Sequence, residues 1–305
     1  MKFFIFGATG DLIKRKGIPA LVSIGNLSVY AFGRKEFTDE EYKNFICDEK
    51  CPDSFKKNLH YVKIDYDSDN FCNSCLEILD RENFNYFYIA LPPSLYKKIL
   101  IFLGNLKRNG FKIRVLLEKP FGESLNDALE LTKIINKFDL EKDLFLSDHY
   151  LFKENVIKLK KADFNEIKIV SFEKIGLEGR KNYYDDIGSL KDMVQSHLLN
   201  ILFKIIDAEE LEKFRTEKFI LAQYGNGKDK GYVKDLGKIS DTPTFAYLEL
   251  KAGRKKIILS SGKSMNEKET SIEIDNKKIF MGELNPYPLL FKEFLHEKKE
   301  NFPSI

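Results

Sequence analysis

The chain is poor in histidine and cysteine, with four of each in 305 residues, and it has no marked excess of either charge. Lys and Arg total 50 against 47 for Asp and Glu, a net charge of +3, which excludes the broad basic footprint of a nucleic-acid binder. It leaves room for a local basic cluster that holds a phosphate. No apolar run approaches the roughly 18 residues of a membrane span. The apolar opening at Met1–Phe6 meets Gly7 too soon to be a signal peptide, so the expectation is a cytoplasmic protein with no nucleic-acid or membrane partner. Internal repeats and low-complexity linkers are also lacking. The four cysteines all fall between positions 47 and 75, as Cys47-x3-Cys51 and Cys72-x2-Cys75. Reduced thiols on two helices are the default reading, with a structural four-thiolate zinc site or a disulfide as alternatives. The chemistry argued below needs no metal.

What is present is a globular composition, 43% hydrophobic and 32% charged, in a chain long enough for two cores. Residues 2–6 read as an apolar strand, Gly7-Ala8-Thr9-Gly10-Asp11-Leu12 as a glycine turn, and 13–24 as a helix. That context lets backbone approach a pyrophosphate at a helix start. A second strand, 28–32, ends at Gly33-Arg34-Lys35, where an acid would take the ribose hydroxyls of NAD; a guanidinium suits the 2′-phosphate of NADP. Strands at 59–65, 86–91, 113–118 and 143–148 alternate with helices at 69–80, 95–108 and 124–137. The expected fold class is α/β: a doubly wound parallel Rossmann-type sheet over 1–150, followed by an α+β domain over 151–305 with a mostly antiparallel sheet. In the second part, strands are expected at 166–173, 217–224, 244–250, 255–260 and 270–275, with helices at 190–206 and 287–297.

Three strand ends carry unusual residues: Ala90-Leu91-Pro92-Pro93, Glu118-Lys119-Pro120-Phe121-Gly122 and Asp148-His149-Tyr150. In doubly wound sheets these ends face the ligand crevice. Lys119 is a credible substrate-contacting cation there, against the default of a surface lysine. His197 lies beside the apolar stripe of the 190–206 helix, where a satisfied core histidine is the default. At 3.6 residues per turn, Asp192 and His197 would stand about 140° apart on that helix.

Together these blocks resemble the glucose-6-phosphate dehydrogenase family. Gly7 to Lys16 is similar to its coenzyme fingerprint, and the three strand-end blocks follow in the family's order, the last running Asp148 to Glu154. The most specific block runs from Glu178-Gly179-Arg180 through Tyr183, Asp185, Gly188, Asp192, Gln195 and His197-Leu198-Leu199. Gln223-Tyr224, Gly231-Tyr232 and Gly262-Lys263-Ser264-Met265 extend it. The resemblance implies hydride transfer from C1 of glucose 6-phosphate to NADP, with NAD the weaker alternative, giving the 6-phosphogluconolactone of the oxidative pentose phosphate pathway.

It implies His197 as general base and Asp148 as the carboxylate orienting it. It implies His149, Tyr150 and Lys153 as the phosphate pocket, Lys119 between sugar and nicotinamide, and Glu173 and Asp192 as acceptors of sugar hydroxyls. Lys263 and Lys268 would close the pocket. Gly7, Thr9, Gly10, Asp11, Leu12, Arg34, Pro92 and Lys119 would hold the cofactor. Ile13 departs from the family's usual alanine, so packing at that contact is expected to differ. The chain is also shorter than typical members, with a sheet that looks trimmed after Ile274; a homo-oligomer is possible and no structural NADP is expected. The rival readings are a dehydrogenase of another sugar or sugar phosphate and a non-catalytic sugar-phosphate or NADP(H) sensor.

Overall fold

The computed structural model describes residues 1–49, 51–68, 73–177, 181–225 and 231–303, with backbone only for 181–183. It divides into two compact units, Met1–His149 with Asn285–Ile305, and Tyr150–Leu284. In the first unit, β1 (Lys2–Phe6), β2 (Ser28–Gly33), β3 (Leu59–Lys63), β4 (Asn85–Ile89), β5 (Ile113–Leu117) and β6 (Leu144–Leu146) form one sheet in the order β3-β2-β1-β4-β5-β6. Each neighbouring pair is parallel. β1 and β4 are buried along nearly their whole length, as strands covered on both faces must be, which is why they read as unbroken apolar runs. The order reverses between β1 and β4, the switch point at which such sheets bind ligands.

The C-terminal helix Tyr287–Leu295 belongs to this first unit, not to the second as the sequence reading assigned it. The reason is aromatic packing. Phe291 meets Phe3 at 5.7 Å and Tyr88 at 4.9 Å, while Phe294 meets Tyr86 at 5.6 Å and Phe145 at 5.2 Å, all edge to face. The expected helix at 69–80 is helical over Asn73–Leu76; residues 69–72, Cys72 included, lie outside the described residues.

The second unit holds β7 (Glu166–Phe172), β8 (Arg215–Ala222), β9 (Phe245–Ala252), β10 (Lys255–Gly262), β11 (Glu269–Ile274) and β12 (Lys277–Phe280), ordered β12-β11-β7-β10-β9-β8. Only the β7–β10 pair is parallel. The sheet does not stop at Ile274: Asp275 and Asn276 take positive φ of 46° and 66° and turn the chain into β12, the backbone that a two-residue hairpin of matching twist requires.

Candidate active site

The turn after β1 is clamped from behind by two buried tyrosines. Tyr42 Oη donates to Ala8 O at 2.9 Å, and Tyr66 Oη donates to Phe32 O at 3.0 Å while accepting from Gly7 N at 2.9 Å. Gly7 has φ +87°, and a Cβ there would stand 2.2 Å from Ala90 O at the end of β4. Only glycine permits that approach. On the outer side Gly10 and Asp11 are exposed, Thr9 and Leu12 half-exposed. Thr9 lies against the end of β2, its Cγ2 2.9 Å from where a Gly33 Cβ would be. Arg34 and Lys35 follow, both exposed, with Lys35 O held by Tyr61 Oη at 2.6 Å. The ammonium groups of Lys14 and Lys35 sit 4.8 and 5.0 Å from the Phe45 ring. Exposed turn backbone beside three basic side chains is a donor set that fits a pyrophosphate and a second phosphate.

Beyond the turn, a π-helical segment spans Ile13–Gly17 rather than regular α-helix. Ile13 is fully buried, and its Cδ1 lies 3.3 Å from where a Gly17 Cβ would stand, so Gly17 leaves room for the larger side chain. Pro92 leads from β4 into the short 3-10 turn Pro93–Leu95. Lys119, half-exposed at the end of β5, precedes Pro120 through a cis peptide. Asp148 is buried and His149 half-buried where the chain leaves β6.

The second unit brings six of the expected residues near one another. His197, 1% exposed, stacks on the Tyr150 ring at 4.2 Å. Tyr150 shares a hydrogen bond with Ser171 at 3.2 Å, and Lys153 Nζ lies 4.6 Å from the same ring. Burial pushes the Lys153 ammonium below the usual lysine range and the charge of Lys268 adds to this, while Glu173 and Glu283 oppose it. Lys263 is paired with Glu173 and lies over the Tyr184 ring at 5.1 Å. Lys268 is exposed and paired with Glu283 at 2.7 Å.

Asp192 and His197 sit on a π-helix, Leu190–Leu198, instead of the α-helix expected. With i→i+5 hydrogen bonds, residues five apart are neighbours along one face, so the wide angular separation expected for them does not hold. Tyr184 has no role evident from the sequence. Burial pushes its phenol up, its bond to Ser189 opposes this, and the carboxylates of Asp192 and Glu173 add to the rise, so its hydroxyl stays protonated beside both. The block's Glu178-Gly179-Arg180 and the Tyr183 side chain lie outside the described residues.

Among the cysteines, Cys47 and Cys51 bring their sulfurs to 2.7 Å, and Cys75 is buried in the core of the first unit. Burial and the Cys51 contact push the Cys47 thiol up to about 12. No helix among the described residues is long and apolar enough to cross a membrane.

A doubly wound sheet with a glycine turn at its switch point, followed by a mixed-sheet unit carrying a buried histidine, fits an oxidoreductase that uses a nicotinamide dinucleotide, the class to which the family matches assign the chain. Residues 4–157 match the family described as "Glucose-6-phosphate dehydrogenase, NAD binding domain" and residues 157–209 its "C-terminal domain". The glucose-6-phosphate 1-dehydrogenase of Dictyostelium discoideum is 31% identical, over 90% of this chain and 68% of the relative. "Glucose-6-phosphate 1-dehydrogenase 5, cytoplasmic" of Arabidopsis thaliana is 29% identical, over 92% and 67%. The solved structure of a glucose-6-phosphate dehydrogenase in complex with its substrate glucose-6-phosphate shares the fold, with a TM-score of 0.80 at 23% identity over 99% of this chain and 87% of the other. The Mycobacterium avium enzyme aligns at 0.81 with 20% identity, over 99% and 88%. The chain belongs to the glucose-6-phosphate dehydrogenase family.

Proposed function

We propose that the chain oxidises glucose 6-phosphate at C1 with NADP, giving the 6-phosphogluconolactone and NADPH. The observation that carries this reading is the grouping in the second unit of a buried imidazole, two lysines and a carboxylate around Tyr150 and Tyr184. Lys153, with Tyr150 and His149, binds the 6-phosphate; a dianion needs cations and hydroxyl donors. Glu173 and Asp192 accept hydrogen bonds from the sugar hydroxyls, and Lys263 and Lys268 line the sugar's other side. His197 takes the C1 hydroxyl proton, and Asp148 stabilises the imidazolium that forms. A bound nicotinamide supplies the acceptor for the hydride that leaves C1. Lys119 places the sugar against it, and Arg34 with Thr9 takes the 2′-phosphate, which favours NADP over NAD.

The test is an initial-rate assay with glucose 6-phosphate, using NADP and NAD in turn, repeated on His197→Asn. Loss of about 10²–10⁴ in kcat with KM within a few-fold is expected for removal of a general base. An unchanged kcat would remove His197 from the chemistry. Equal kcat/KM for glucose and glucose 6-phosphate would remove the phosphate pocket.

A further inference from the structure

We infer that Glu118 is a positioning residue that sets Lys119, Asp148 and His149 at the strand ends of the first unit, acting on the last of these through Tyr287 of the C-terminal helix. This inference rests on the proposed reaction for the roles of those three residues. Its basis is the set of groups gathered on a single oxygen. Glu118 Oε1 accepts from Tyr88 Oη at 2.6 Å, from Ser147 Oγ at 3.1 Å and, as the longest of the three, from Tyr287 Oη at 3.4 Å. The Glu118 backbone oxygen accepts from Tyr96 Oη at 2.6 Å. Tyr88 and Tyr96 are fully buried, and Glu118, Ser147 and Tyr287 are 7%, 3% and 4% exposed.

Each donor comes from a different piece of chain. Tyr88 is on β4, Ser147 immediately precedes Asp148, and Tyr287 opens the C-terminal helix. The Tyr287 ring also lies along the His149 imidazole, 5.9 Å between centroids with planes 19° apart. The chain running on from Glu118 carries Lys119. One carboxylate is therefore linked to the carriers of all three residues.

The chemistry separates this from ordinary packing. A buried carboxylate is costly unless its lone pairs are used, and an apolar side chain of similar volume would fill the space with no such cost. In its ionised form Glu118 only accepts, so every hydroxyl turned to it must then donate, which fixes those rotors. Burial raises this carboxyl above the usual range, while Tyr88, Ser147 and the adjacent Lys119 draw it back. The arrangement exchanges stability for direction: it aims the residues on either side of it.

Three variants test this on the full-length chain: Glu118→Gln, which keeps shape and an acceptor oxygen but removes the charge, Tyr287→Phe, which keeps the ring on His149, and Tyr287→Leu, which removes it. Tyr287→Leu is expected to raise KM for glucose 6-phosphate about tenfold, less than the roughly 10²-fold that a misplacement of about 1 Å can cost. Its KM for NADP and its kcat/KM for unphosphorylated glucose should stay near wild type. Tyr287→Phe should restore KM to within a few-fold, and Glu118→Gln should lower kcat with either substrate. If the variants shift only the melting temperature, or if KM for both substrates rises together, Glu118 and Tyr287 are packing residues and the inference is overturned. Calorimetric binding of glucose 6-phosphate to wild type and Tyr287→Leu gives a reading independent of turnover. Equal affinities would overturn the inference, whereas a wild type that binds but does not turn over counts against the proposed reaction instead.

Discussion

Lys153 is the residue whose surroundings make the sharpest pH statement. Its folded-state pKa is depressed, first by burial and then by Lys268. Its ammonium therefore loses its proton at lower pH than a free lysine. Phosphate binding that depends on this charge is full below the depressed value and falls as pH rises through it. Stability moves the other way. Between the depressed folded value and the unfolded one the unfolded chain binds more protons, so this group's contribution to stability increases with pH. We expect KM for glucose 6-phosphate to climb as pH rises toward the ordinary lysine range, at lower pH than a free lysine would give, while Lys153→Arg, whose guanidinium keeps its charge there, flattens the climb. A profile identical in the two proteins would place the titration elsewhere. Such residues can be named as candidates from the sequence because charge and hydroxyl chemistry can be read from residue type and motif. The meeting of Glu118 with Tyr287 cannot, since the strand-end block that holds Glu118 says nothing of a tyrosine 169 positions later. Three-dimensional convergence leaves no trace in spacing.

At the scale of elements, the parallel strands and the glycine turn were readable because both-face burial and a tight backbone approach impose composition. Gly7 makes the point testable. Gly7→Ala would place a methyl 2.2 Å from Ala90 O in a left-handed conformation. The conformation alone costs about 1–2 kcal/mol, and the clash forces β1 and β4 ends apart where the pyrophosphate is expected. A melting temperature lowered by several degrees, together with weakened NADP binding by calorimetry, is the expected result; unchanged affinity would show that the turn does not carry the cofactor. The π-helical segments at Ile13–Gly17 and Leu190–Leu198 were not readable. The π-helix is rare and appears mostly as short bulges inside α-helices, so apolar periodicity alone reads as the ordinary helix. The consequence for the site is direct, because Asp192 and His197 change from separate faces to a shared one. β12 escaped for another reason: its four residues are all exposed, so no alternation of burial marks them. The Asp275-Asn276 pair was the available signal.

At the scale of the whole molecule, the division near residue 150 follows a change from strand–helix alternation to antiparallel pairing. The return of the last helix to the first unit does not follow from any such change. An apolar stripe says that Tyr287–Leu295 must be buried, without saying against what. Its aromatic content held a hint, because Phe291 and Phe294 face a sheet already rich in rings at Phe3, Tyr86, Tyr88 and Phe145. Each edge-to-face pair adds about 0.5–1.5 kcal/mol beyond the area it buries. Phe291, fully buried, should therefore cost about 3–5 kcal/mol when cut to alanine. That loss belongs to the dinucleotide-binding unit, although position 291 lies far from it in sequence. The discriminating measurement is amide hydrogen exchange on Phe291→Ala. If the helix stabilises the first unit, exchange should rise in β1, β4 and β6, while the β7–β10 ladder of the second unit keeps its protection. Protection lost in β7 and β10 with β1 and β4 unchanged would return the helix to the second unit. It would also remove the physical basis for Tyr287 acting on His149.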